Sequence, residues 1–239
     1  MILQAALNGR LTKANHSAVP VSAEELAQDA RACAAAGAAE FHIHPRDTTG
    51  AESLDSAAVD ACARAVRTAT RLPVGVTTGA WIEPDVQRRL ELIQGWREPD
   101  YTSVNLCEPG AIDLIKALLQ AGIGVEAGIW SLADAELLAT SDVADRVMRL
   151  MIEPQDVSPG DAVPLVSAIH DVLDRAKLIQ PRLQHGEGAT TWILLEDAIR
   201  RRIDTRIGFE DTCHLPDGSL APDNAALIRA ARALGAGGQ

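Results

Sequence analysis

Short apolar runs alternate with alanine-rich amphipathic stretches along the whole chain. Residues 2–7 are apolar and stop at Asn8-Gly9, a turn signal, so a strand is expected there. Ser22 ahead of Glu24 and Glu25 opens a helix that runs to Ala36 and stops at Gly37. The same unit then recurs. Residues 38–44 read as the second strand and 55–69 as its helix; strands follow at 72–78, 101–106 and 123–129, with helices at 84–92, 112–120 and 132–140. Strands at 146–151, 177–183 and 206–209 complete the series, with helices at 162–173, 190–201 and 224–234. Eight strand–helix units without a linker place the chain in the α/β class. They favour a single compact (β/α)8 (TIM) barrel over residues 1–239 rather than an open doubly wound sheet.

Composition narrows the setting. An apolar fraction of 47% supports a full core, and a formal charge of -11 argues against broad binding to nucleic acid or acidic membranes. Cys33, Cys62, Cys107 and Cys213 are widely spaced and form no CxxC pair, as expected of reduced thiols. With no apolar leader and no 18-residue apolar run, a cytoplasmic protein is the simplest expectation.

In a barrel of this kind the chemistry belongs at the carboxyl ends of the strands. His42 and His44 are two apart on a strand, so both imidazoles share one face and suit a common metal; a hydrogen-bonded rim pair is the alternative. Arg206, Gly208 and Glu210 likewise share a face on the eighth strand, which lies beside the first and one strand from the second. Glu210 can therefore complete a 2-His-1-carboxylate set with open positions, or instead serve as a salt-bridge partner of Arg206. Zinc suits these donors best, with cobalt, manganese or iron as alternatives. Gly208 is expected to keep the face open. The remaining histidines, His170 in a helix and His185 and His214 in loops, favour one metal over two.

Other strand ends carry weaker signals. Thr77, Thr78 and Gly79 can hold a carboxylate or merely cap a strand, and Asn105 can orient substrate or brace its loop. Glu126 sits in an apolar segment and serves either catalysis or the scaffold. Gly186 and Gly188, in Gln184-His185-Gly186-Glu187-Gly188, form a loop that could receive a phosphate or the pantetheine end of a cofactor. Asn8 shapes the pocket or a turn. Neither GxGxxG nor GxxxxGK[ST] occurs.

Together, Phe41-His42-Ile43-His44-Pro45-Arg46-Asp47, Val76-Thr77-Thr78-Gly79 and Arg206-Ile207-Gly208-Phe209-Glu210-Asp211 resemble the β-keto acid cleavage enzyme family, which includes 3-keto-5-aminohexanoate cleavage enzymes. The resemblance runs in the same order over nearly the whole chain. It implies a (β/α)8 barrel, a homo-oligomer up to a tetramer, bound zinc, and reaction of a β-keto acid with acetyl-CoA to give acetoacetate and a new acyl-CoA. It further implies His42, His44 and Glu210 as metal ligands, Arg206 and Asp211 as the catalytic pair, Thr78 in a substrate-binding segment and Glu126 as an active-site acid. The chain departs from the family pattern at Pro45, where valine is more usual, and at Gly128 and Ser131, where acidic residues are frequent. A CoA-independent metal-dependent aldolase or decarboxylase is the alternative, and a noncatalytic metabolite-binding barrel the second.

Overall fold

The computed structural model of the protein describes residues 1–238. The first half contains β1 (Leu3–Ala6), α1 (Ala23–Ala36), β2 (Glu40–Ile43), α2 (Ser56–Thr70), β3 (Val74–Val76), α3 (Val86–Gln94), β4 (Tyr101–Asn105) and α4 (Ala111–Gln120). The second contains β5 (Gly124–Ile129), α5 (Leu132–Thr140), β6 (Arg149–Ile152), α6 (Pro159–Arg175), β7 (Arg182–Gln184), α7 (Thr191–Arg201), β8 (Asp204–Ile207) and α8 (Asn224–Leu234). All neighbouring strands pair in parallel, and β8 returns to β1, closing the barrel. Among the described residues, no helix is long and apolar enough to cross a membrane.

Local chemistry explains the boundaries. Ser22 and Glu25 form a reciprocal capping box at the start of α1, and Gly37 ends it at φ 113° in the left-handed region. The seventh strand starts later than the apolar pattern predicts. Lys177 is left-handed (φ 57°) and the Leu178 amide bonds the Leu173 carbonyl, so these residues finish α6 rather than extend β7. The eighth strand ends early because Gly208 begins a turn that accepts from the amides of Asp211 and Thr212. A Cβ at Gly208 would overlap the Ala6 carbonyl, so its role is close approach of this turn to β1 rather than opening the pocket.

The two faces of the strands divide sharply. Leu3, Phe41, Ile43, Val76, Ala127 and Leu150 belong to the apolar layer under the helices. Barrels of this class commonly fill their centre with branched aliphatic residues. Here a polar cluster occupies the floor instead. The Gln4 amide donates to Glu40, Tyr101 and Glu126, each at 3.1 Å, and Arg149 Nη2 meets Glu40 at 2.5 Å and Glu126 at 2.9 Å. The Tyr101 ring lies over Gly75, where any Cβ would overlap it.

Glu126 belongs to this floor, not to the pocket wall, which corrects its placement as an active-site acid. Its depth follows from register: it is level with Arg149, the first residue of β6. Burial pushes its pKa up most and Glu40 adds to this, while Arg149 opposes them, leaving it at about 7. Between the ordinary carboxylate value and about 7, the folded chain holds a proton that the unfolded chain has released. This contribution to stability therefore falls as pH rises through that window, at ~1.4 kcal/mol per pH unit at most. Glu126→Gln is expected to flatten the dependence while leaving turnover in place. Urea midpoints at pH 5 and pH 8 for both proteins measure it; equal slopes would refute the assignment.

Candidate metal centre and its pocket

The mouth of the barrel is assembled by backbone clamps. Asn8, fully buried after β1, accepts from the His44 amide at 2.9 Å and donates to the His44 carbonyl at 2.9 Å, fixing the end of β2. Arg46 Nη2 donates to the carbonyls of Gly9 (2.7 Å) and Leu11 (2.9 Å), holding the loop after β1. Gly9 has φ 53°, and a Cβ there would lie 2.5 Å from Glu210 Cγ. The Asn8-Gly9 turn thus both holds β2 and leaves room for the Glu210 side chain to reach across β1.

Glu210 meets both histidines. His44 Nε2 lies 3.4 Å from Glu210 Oε1, His42 Nε2 lies 3.7 Å from Glu210 Oε2, and the three donor atoms fall within 4.8 Å of one another. Burial dominates at His42 and pushes its pKa down to about 3, which keeps the imidazole neutral. Burial also opposes the charge on His44, but Glu210 and Glu52 outweigh it and raise this ring to about 8. Glu210 is held well below the ordinary range: burial works against its charge, and Arg206 and the two histidines prevail. Glu210 Oε2 and His42 Nδ1 are buried without hydrogen-bond partners. Two imidazoles, an ionised carboxylate and an unpartnered carboxylate oxygen form a donor set that fits a divalent transition metal.

The structure sorts the other sequence-derived residues. Arg206 Nη2 donates to Glu210 Oε1 at 2.7 Å and to Asp211 Oδ1 at 2.8 Å, so the guanidinium bridges the two carboxylates. Thr77 and Asn105 line the pocket. Thr78 does not; its hydroxyl donates to the Ser103 carbonyl at 2.7 Å and ties β3 to β4. Gly79 makes room for the Trp81 indole. Asn105 Nδ2 donates to Glu108 Oε1 at 3.0 Å, bracing the loop after β4. The glycine loop also differs from the phosphate-binding reading. The Gly188 amide donates to the Asp211 carbonyl at 2.8 Å, and Gly186 packs against Thr190. Asp156 and Glu187 line the groove beside it. That loop secures the backbone of Asp211.

Glu52 and Glu153 join the site only through the structure, whereas Trp81 and Trp130 follow the third and fifth strands, where the sequence already allows them to shape an apolar pocket, cover a barrel end or lie at a subunit contact. Glu52, in the loop after β2, meets His44 Nδ1 at 2.6 Å and accepts from Trp81 Nε1 at 3.2 Å. This contact turns the other ring nitrogen of His44 toward Glu210. Trp81 stacks on His44 at a centroid distance of 6.0 Å, with Arg10 over the indole at 5.4 Å. Glu153, His185 and Trp130 line the opposite wall. An outer partner of this kind is typically worth 10–100-fold in metal affinity, so Glu52→Ala is expected to weaken metal binding by roughly that factor. Competition with a chromogenic chelator measures it, and unchanged affinity would leave Glu52 only a loop contact.

The family described as beta-keto acid cleavage enzyme matches residues 1–157. Among curated proteins, none matches the chain significantly in sequence. Of solved structures, the ternary complex of ObcA with C4-CoA adduct and oxalate is similar at TM-score 0.71 and 14% identity, covering 90% of this chain and 63% of that one. The present chain therefore spans less than two thirds of that structure. Type I 3-dehydroquinate dehydratase from Clostridium difficile is similar at TM-score 0.62 and 10% identity, covering 95% of this chain and 91% of that one. N-acetylmannosamine-6-phosphate 2-epimerase from Clostridium perfringens follows at TM-score 0.58 and 12% identity, covering 88% and 87%. At these identities the likeness is one of fold. The family match includes both histidines, while barrel closure brings Glu210 to them from beyond its end. With about two thirds of its length matched, the chain belongs to the β-keto acid cleavage enzyme family.

Proposed function

We propose that this protein is a metal-dependent enzyme that reacts a β-keto acid with acetyl-CoA, giving acetoacetate and a new acyl-CoA. The observation that carries this reading is the meeting of His42, His44 and Glu210 beside the Arg206–Asp211 pair in one pocket at the barrel mouth. His42, His44 and Glu210 would hold a divalent ion, with zinc suited to two imidazoles and a carboxylate, and such an ion would supply Lewis acidity toward a bound keto acid. Four free thiols suit a reducing cytoplasm, and exposed Leu132 and Leu137 on α5 offer apolar surface for a homo-oligomer.

The chain's own residues divide the remaining work. Arg206 is buried and doubly paired, so it stays cationic; it stabilises negative charge developing on the substrate and is unsuited to be the base. Asp211 gives Oδ1 to Arg206, while its buried Oδ2 has no partner. That oxygen takes the proton from the carbon between the keto and carboxylate groups. The carbanion then attacks the acetyl thioester and expels the CoA thiolate. The thiolate adds to the original acyl carbonyl, and the carbon–carbon bond breaks to give the new acyl-CoA. Asp211 returns the proton to the departing acetoacetate carbanion, so the balance closes without another reactant. Thr77 and Asn105 face the same space and can position the substrate.

The test is acetoacetate production from a panel of β-keto acids, with acetyl-CoA and zinc each omitted in turn. Dependence on all three components is the expected result. Cleavage that proceeds without acetyl-CoA would overturn the reading in favour of CoA-independent keto-acid chemistry.

A further inference from the structure

The steps above leave one buried imidazole of the pocket unused. His185 follows β7, is 1% exposed, and has a carboxylate on each edge of its ring. Nδ1 lies 3.4 Å from Asp211 Oδ1, and Nε2 lies 3.1 Å from Glu153 Oε2. These are ion-pair distances rather than aligned hydrogen bonds, and the ring has no other partner. Glu153, buried after β6, accepts from Trp130 Nε1 at 2.8 Å through its second oxygen. A polar chain therefore runs along the wall from Arg206 through Asp211 and His185 to Glu153 and Trp130. It links the ends of β8, β7, β6 and β5.

Charge decides what His185 does there. A neutral imidazole has one N–H and must turn a lone pair toward one of its two carboxylates; an imidazolium presents N–H to both. The charged groups acting on the ring are Asp211 and Arg206 from β8 and the turn after it, Glu153 from the end of β6, Glu187 on its own loop, and His42 from β2. Burial and Arg206 oppose protonation, but Asp211 and Glu153 overcome them and lift the ring to about 9. Gly128 permits this arrangement, since a Cβ there would stand 2.6 Å from Asn105 Oδ1 and 3.0 Å from Glu153 Oε1.

We propose that His185, held between Asp211 and Glu153, is a positioning residue for the Arg206–Asp211 pair: it anchors Asp211 through Oδ1 and so leaves Oδ2 free for the substrate. This rests on the reading of Asp211 as the group that takes the substrate proton. Glu153 acts one step further back, by keeping the imidazole charged and in place.

Two experiments test it, and they fail differently from the function itself. In the free enzyme, the ring 15N shifts of His185 should show both nitrogens protonated at neutral pH, and Glu153→Gln should move the titration downward. A neutral ring at pH 7 in the wild type overturns the proposal whether or not the protein turns over. In the kinetic arm, His185→Gln is expected to keep its zinc and its circular dichroism spectrum. Its kcat should fall about 10–100-fold, the range for losing a contact to a charged group, with a shifted pH profile. Glu153→Gln should lower kcat in the same direction, and the double variant should lose less than the product of the single effects. Wild-type kcat and an unaltered pH profile in His185→Gln would overturn the role. Should His185→Gln fail to fold, the Glu153→Gln shift and the wild-type spectrum decide alone. Failure of the underlying reading instead shows as full turnover in Asp211→Asn.

Discussion

Glu210→Gln is expected to lose metal and turnover together. Glutamine keeps the length of the side chain that folds over Gly9, so the lost property is charge and one of two oxygen donors. What remains is His42 and His44 beside the Arg206 guanidinium, a poor setting for a dication once the intervening anion is gone. Metal affinity should fall by at least about 100-fold, the upper end of what an outer-shell partner costs, because here a ligand itself is removed. Zinc per chain after dialysis, measured by mass spectrometry and read beside acetoacetate production, provides the check. Stoichiometric zinc with wild-type turnover would remove Glu210 from the site.

This experiment also probes the most legible part of the chain. His42 and His44 share a strand face by elementary alternation, and closure of an eight-unit barrel brings the end of β8 within reach of β2 across β1. Helices were equally readable where caps are explicit, as at Ser22 and Gly37 in α1. Depth was not. Glu126 reads as an inward-facing charge, yet only register against Arg149 shows that it lies in the floor. Direction at strand ends was also hidden: Thr77 and Thr78 are adjacent, but only Thr77 lines the pocket. Glu153 carries no motif, and His185 reads as part of the glycine loop after β7 rather than as a residue of the pocket wall. Alternation along β7 nevertheless held a signal, because Gln184 faces His170 and Asp197 on α6 and α7, which turns its neighbour His185 inward.

Arg206 provides the second decisive experiment because it separates chemistry from metal binding. The guanidinium touches Glu210 and Asp211 but is not itself a donor to a cation, so Arg206→Ala should retain zinc while losing turnover. Removing a donor that stabilises developing charge costs roughly 10²–10³-fold in kcat. Alanine also leaves two carboxylates beside each other without their shared cation, and breaking a buried pair of this kind costs about 3–5 kcal/mol of stability. Thermal unfolding must therefore accompany the kinetics, so that rates are compared for folded protein. Arg206→Lys resolves what the charge alone contributes. Lysine restores a cation but cannot span both carboxylates with a planar fork, so it should recover stability more fully than kcat. Full turnover in the alanine variant would remove Arg206 from the chemistry and leave it the bland role of neutralising Glu210 and Asp211, whereas full turnover in the lysine variant would show that a positive charge alone suffices there. Loss of zinc in the alanine variant would show instead that the guanidinium acts by holding Glu210 toward the histidines, joining the two functions that this geometry keeps apart.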